Sequence, residues 1–198
     1  MAGFRKSLLI SLITLVLLAT LSAPAFAAAG DLDTTFSGDG KLTTNFTTGD
    51  DVAFGVAIQS DGKIVAAGRA PGSGGRFALV RYNTDGTRDA TFSGDGKLTT
   101  NFTSRDDFAN GLAIQSDGKI VLAGVANCCS NAAFALVRYN TDGTRDATFS
   151  GDGKLTTNFT TGIDVAFGVA IQADGKIVAA GRAPGSGGRF ALARYLAA

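Results

Sequence analysis

A stretch of 27 residues, Phe77 to Thr103, recurs letter for letter from Phe134 to Thr160. A chain that repeats itself so closely must bury each unit against copies of that unit, because one unit alone cannot enclose a core. The string TFSGDGK starts at Thr35, Thr91 and Thr148, which sets periods of 56 and then 57 residues and units of about 35–90, 91–147 and 148–198. The extra residue falls in one loop. There RAPGSGGR (Arg69–Arg76, and again Arg182–Arg189) is replaced by VANCCSNAA (Val125–Ala133).

Within each unit the pattern reads as four short strands. In Val52-Ala53-Phe54-Gly55-Val56-Ala57-Ile58-Gln59 bulky and small residues alternate, as expected of a strand that packs on both faces in a tapered space. Asp61-Gly62 separates it from Ile64–Gly68, and the same pair recurs at Asp117-Gly118 and Asp174-Gly175. Asp-Gly between apolar runs predicts a hairpin with a type I′ turn. Phe77–Tyr82 reads as a third strand, and Lys41–Phe46 with its copies as a fourth, more polar one. No stripe of helical period is visible after residue 27, and the abundance of Gly, Thr and Val opposes helix. The expected fold is all-β: a β-propeller-like array of three four-stranded antiparallel meander blades, with the small-residue strand innermost and the polar strand at the rim.

The first 27 residues stand apart. Arg5 and Lys6 precede an apolar run from Leu8 to Leu21, and Ala25-Phe26-Ala27 offers a small-x-small cleavage site. This is the pattern of a signal peptide over 1–27, with a mature domain of 28–198 that is secreted or held at the cell surface and has no membrane span of its own. Without Arg5 and Lys6 the chain keeps 16 of its 18 basic residues against 17 acidic ones, all Asp. Such a balance lacks the basic stripe that neutralises phosphates, so nucleic acid is not an expected partner. Cys128 and Cys129 occur in one unit only and cannot staple the fold; a vicinal disulfide and two free thiols are both open.

The chain contains no His, which removes Ser-His-Asp, Cys-His and His-metal chemistry and leaves paired Asp as the acid/base option. Gly40-Lys41 is followed by Leu42, which departs from a phosphate loop. Asn83, Asp85 and Asp89, with Asn140, Asp142 and Asp146, crowd oxygen ligands into a Gly-containing loop. Calcium is the cation such a loop would take, but turn chemistry explains the same residues. No cofactor or catalytic residue is therefore expected. Asp51, Asp107 and Asp164 stand before the inner strand and Gln59, Gln115 and Gln172 end it. In a closed ring they would circle the two mouths of a channel, where carboxylates can bind a cation or act as acid and base; as ordinary strand-entry residues they would face water. Loops on a repeated scaffold carry specificity, which makes Arg69, Arg76, Arg182 and Arg189 the charged part of a candidate binding surface.

The unit TFSGDGK, then DVAFGVAIQSDGKIVAAG, then FALVRYNTDG resembles the delta-60 repeat, a predicted β-propeller repeat of exported and surface-associated bacterial proteins. The resemblance covers essentially all of 28–198, and its most specific part is the core from Val56 to Gly68. It implies a bacterial source and carries no reaction with it. The expectation is a non-enzymatic exported module for binding or cell-surface structure, whose partner is an extracellular protein or glycan; the alternative is a propeller hydrolase or lyase built on the Asp ring. Three blades are fewer than propellers typically use, which leaves open a six-bladed ring shared by two chains, an open stack of units, and a remnant of a longer array. The segment Lys41–Phe46 is placed to complete the last blade, either within the chain or across a homodimer.

Overall fold

A computed structural model describes residues 28–72, 74–129, 131–185 and 187–197. The segment read as a signal peptide lies outside them. The chain divides at Asp31/Leu32, and the repeats all belong to the unit that begins at Leu32.

Eleven strands are present among the described residues. The first sheet contains β1 (Val52–Ile58), β2 (Ile64–Ala70), β3 (Arg76–Tyr82) and β4 (Lys97–Thr100), in that order. The second repeats it with β5 (Phe108–Ile114), β6 (Ile120–Ala126), β7 (Ala133–Tyr139) and β8 (Lys154–Thr157). The third has β9 (Val165–Ile171), β10 (Ile177–Ala183) and β11 (Arg189–Tyr195) and no fourth strand. All pairings are antiparallel between chain neighbours. The expected meander is thus present three times, with the last blade one strand short. Lys41–Phe46, spelled like β4 and β8, joins no ladder.

Two local features follow from glycine. The Asp-Gly hairpins do not use the expected type I′ turn. Only Gly62 has positive φ, at 83°, while Asp61 does not, and the Gly62 amide donates to the Gln59 carbonyl at 2.9 Å. The loop is three residues long, a type I turn closed by a glycine bulge, and Asp61 serves it by accepting from the Lys63 amide at 3.1 Å. The second feature is a bulge in each inner strand: the register slips between Ala109 and Gly111, leaving Asn110 as the extra residue. Opposite it stands Gly124, where a Cβ would meet the Ala109 Cα at 2.8 Å and the Phe108 carbonyl closer still. Only glycine lets the bulged backbone approach this closely.

The blades stack face to face in chain order. Val65, Ala67, Phe77 and Leu79 of the first blade meet Leu112, Ile114, Leu122 and Val137 of the second. The next seam copies this one, with Phe134 and Leu136 against Val169 and Ile171. Each fully buried Phe or Leu stabilises the seam by roughly 1.5–3 kcal/mol. The two outer faces carry the same letters without a neighbour: Val56 and Ile58 are 68% and 61% exposed, Phe190 and Leu192 98% and 63%.

Candidate functional site

Asp51, Asp107 and Asp164 are drawn into turns instead of standing free in water, Asp51 half-buried. Asp107 and Asp164 are fully buried. Each holds the tight turn that leads from the polar strand into the next inner strand. Asp107 Oδ2 accepts from the amides of Phe102 at 2.8 Å and Thr103 at 2.7 Å, while Oδ1 accepts from the Thr103 hydroxyl and the Asn127 amide. Asp164 repeats this on Phe159 and Thr160. A carboxylate buried without such donors would be prohibitively unfavourable, and one with four donors has no lone pair left for a substrate. Asp51 grips Phe46 at 2.8 Å and Thr47 more loosely, but its Oδ1 is buried without a partner. Two donors that Asp107 has are lacking here: the Thr47 hydroxyl does not bond Oδ1 as Thr103 and Thr160 bond theirs, and the amide at position 71 is gone. Where the second blade has Asn127, with φ of 59°, the first has Pro71, which has neither an N–H nor access to that φ. Gln59, Gln115 and Gln172 sit at the hairpin turns, where each backbone N–H bonds the carbonyl of Lys63, Lys119 or Lys176.

The strongest polar cluster is one that spacing did not reveal. Arg81 Nε lies 2.8 Å from Asp89 Oδ2, Lys63 Nζ reaches the same oxygen at 3.1 Å, and Thr91 bonds Oδ1 through both its amide and its hydroxyl. The guanidinium covers the Phe92 ring at 4.5 Å and reaches across the seam to the Thr141 carbonyl at 2.7 Å. Arg138, Asp146, Lys119, Thr148 and Phe149 copy it, with Arg138 reaching the Ala197 carbonyl. Desolvation pushes the Asp89 carboxyl up. The Thr91 hydroxyl and amide, Lys63 and the charge of Arg81 outweigh it and hold the group well below the usual range. The one sequence signal for this network was the recurrence of Lys, Arg and Asp at fixed places in every unit.

Of the oxygens considered for calcium, Oδ1 of Asp85 and of Asp142 are held in turn bonds. Asp85 Oδ1 takes the amide and hydroxyl of Thr87 at 2.8 and 2.6 Å, and Asp142 does the same with Thr144. Among the described residues, no three His, Cys, Asp or Glu side chains cluster as metal ligands.

The variable loops fall into two classes. The first is overlaid by the second blade: the Gly75 amide donates to Asp106 Oδ1 at 2.7 Å and its carbonyl accepts from the Asp107 amide at 3.0 Å. Arg69 and Arg76 are half-buried there, each with an unpartnered Nε. The loop at 182–189 has no blade over it, and Arg182 and Arg189 are exposed. The second loop carries Cys128 and Cys129 as free thiols, Sγ atoms 3.4 Å apart. Desolvation, then the neighbouring Cys129 thiol, pushes Cys128 up to about 11.

A hollow of about 870 Å³ opens on the outer face of the first blade between Lys41–Phe46 and the sheet, lined by Leu42, Phe46, Val52, Ala66, Val80 and Tyr82. A smaller one of about 450 Å³ at the other end of the strands is lined by Gln59, Asp61, Lys63, Arg81, Gln115 and Thr141.

Among known proteins, the family described as a domain of unknown function (DUF5122), beta-propeller, matches at residues 59–92, 115–149 and 172–197. Each match starts at the Gln that follows an inner strand and runs through the next two strands of that blade. No curated protein matches the chain. The three matches, one in each unit and on three antiparallel sheets in series, make these units similar to the repeats of that family and support a β-propeller repeat architecture.

Proposed function

We propose that the chain is an exported module that acts by binding or by building cell-surface structure, without turnover. The observation that carries this reading is the state of the carboxylates. Asp107 and Asp164 are buried and given over to backbone amides, and Asp89 and Asp146 are locked in ion pairs. Catalysis by an acid/base pair needs a group within reach of a substrate proton, and these four carboxylates are turned to partners inside the protein; Asp89 and Asp146 are in addition held below the usual carboxylate range. The export pattern of 1–27 supports an address outside the cytoplasm. The variable loops, which carry Arg69, Arg76, Arg182 and Arg189, are the charged surface a partner protein or glycan would meet.

The test is a panel of ester, glycoside and phosphoester substrates offered to the wild type and to the Asp51→Asn/Asp107→Asn/Asp164→Asn variant. Neither should release product above the blank. Turnover by the wild type that the variant loses would move the protein to the hydrolase or lyase reading.

A further inference from the structure

The two open ends of the blade array are halves of the same seam. At the leading end, Lys41–Phe46 is already placed as the fourth strand of a blade whose other three strands are not among the described residues of this chain. Tyr82 donates its hydroxyl to Thr44 Oγ1 at 2.8 Å, as Tyr139 does to Thr100 and Tyr195 to Thr157. The preceding turn is also in place, since the Ser37 amide bonds the Asp85 carbonyl at 2.8 Å, as Ser93 does with Asp142. This turn presents Asp33, the counterpart of Asp89 and Asp146, with its Oδ1 on Thr35 as theirs is on Thr91 and Thr148. Asp33 is exposed and, among the described residues, has no cationic partner.

At the trailing end the complement is present. β11 has a free edge, and Arg194, counterpart of Arg81 and Arg138, is exposed with no acceptor among the described residues. Lys176, counterpart of Lys63 and Lys119, bonds only the nearby Asp174. Phe190 and Leu192 project from this face. Their counterparts in the first blade, Phe77 and Leu79, fill the face of the second blade that corresponds to the empty hollow on the first.

We propose that two copies of this chain join head to tail at both ends and close a six-bladed ring, in which Lys41–Thr44 of each copy becomes the fourth strand of the other's last blade. The register follows from the two intact blades, which agree: Phe77 pairs with Thr100 and Leu79 with Leu98, Phe134 with Thr157 and Leu136 with Leu155. Phe190 therefore pairs with Thr44 of the second copy, and Leu192 with Leu42. Arg194 and Lys176 meet Asp33, the Arg194 guanidinium lies over Phe36, and Phe190 and Leu192 enter the hollow. The seam thus gains strand, apolar and charge complementarity together, each already realised twice within one chain. Two copies is the closing number, because propeller rings have about four to eight blades and one copy supplies three sheets. A head-to-tail contact that closes gives a ring, and one that does not gives a filament.

Charge exchange tests this on the full chain as processed by the expressing cell. Wild type should sediment at twice the chain mass at micromolar concentration. Asp33→Arg alone and Arg194→Asp alone each place like charges at both seams and should sediment as monomers. Both positions are exposed, so the β-sheet circular dichroism should persist. Mixing the two variants regenerates one exchanged seam and one native seam per pair, and should restore the dimer. A monomeric wild type, which would mean closure within one chain or none, overturns the proposal. So does growth into larger species with concentration, or a mixture that stays monomeric while both variants are folded.

Discussion

Arg138 and Asp146 meet Nε to Oδ2 at 2.7 Å, with side chains only 1% and 4% exposed. Their exclusion from solvent makes the pair asymmetric in its response to mutation: together they are tolerated, but either one alone is a buried uncompensated charge or an orphaned set of donors. Asp146→Asn should lower the unfolding free energy by about 3–5 kcal/mol. The same letter change at the exposed Asp33 should shift dilute, monomeric protein by less than about 0.5 kcal/mol. Urea unfolding of the two variants side by side reads the contrast. Equal effects would mean that the cluster does not anchor the blade.

Acid should act through the same carboxylates. Asp89 and Asp146 have folded pKa values held below the ordinary Asp value of 3.8. A depressed carboxylate contributes stability that is complete above the unfolded pKa and is lost as pH falls toward the folded one. The melting temperature should therefore be flat from neutrality to about pH 5 and fall steadily below about pH 4. In Asp89→Asn/Asp146→Asn the starting stability should be lower and the acid slope shallower.

Much of this fold is readable in the letters. Strand positions, the antiparallel order and the shortfall of one strand in the last blade follow from alternation and from Asp-Gly punctuation. The turn type does not, because Asp61-Gly62 reads the same whether the left-handed residue is both or only the second, and the longer register of the hairpin decides. The role of Asp107 was equally hidden. Before a strand, Asp reads as a solvated entry residue, and only the fold shows that the amides of Phe102 and Thr103 turn back upon it. The Arg81 cluster combines residues that are distant in sequence, such as Lys63 and Thr141, so no local pattern contains it.

Cysteine chemistry should be slow in the middle blade. With the Cys128 thiol raised to about 11, little thiolate forms at neutral pH, and alkylation requires the thiolate. Cys129→Ser removes the neighbouring thiol and leaves desolvation, so iodoacetamide labelling of that variant should climb with pH through a midpoint above the ordinary thiol value of 9.0 and below about 11. A midpoint at the ordinary thiol value would place Cys128 in water.

Backbone crowding at the bulges gives a fourth test. Gly124→Ala pushes a methyl against Ala109 and Phe108 and should destabilise by about 1–3 kcal/mol. Gly168→Ala, in β9, adds its methyl to open space in the single chain and should stay within about 0.5 kcal/mol in dilute, monomeric protein. Thermal melts of the pair suffice.

Because each seam is written in the same letters, the array has no fixed length. The identical stretches begin at Phe77 and at Phe134, 57 residues apart, so an unequal crossover between the corresponding gene segments excises or inserts one whole blade in frame. Such an event leaves both ends untouched, with Asp33 still at one and Arg194's counterpart at the other. Blade number can therefore change in single steps, with selection acting on the count of blades rather than on the repair of broken interfaces.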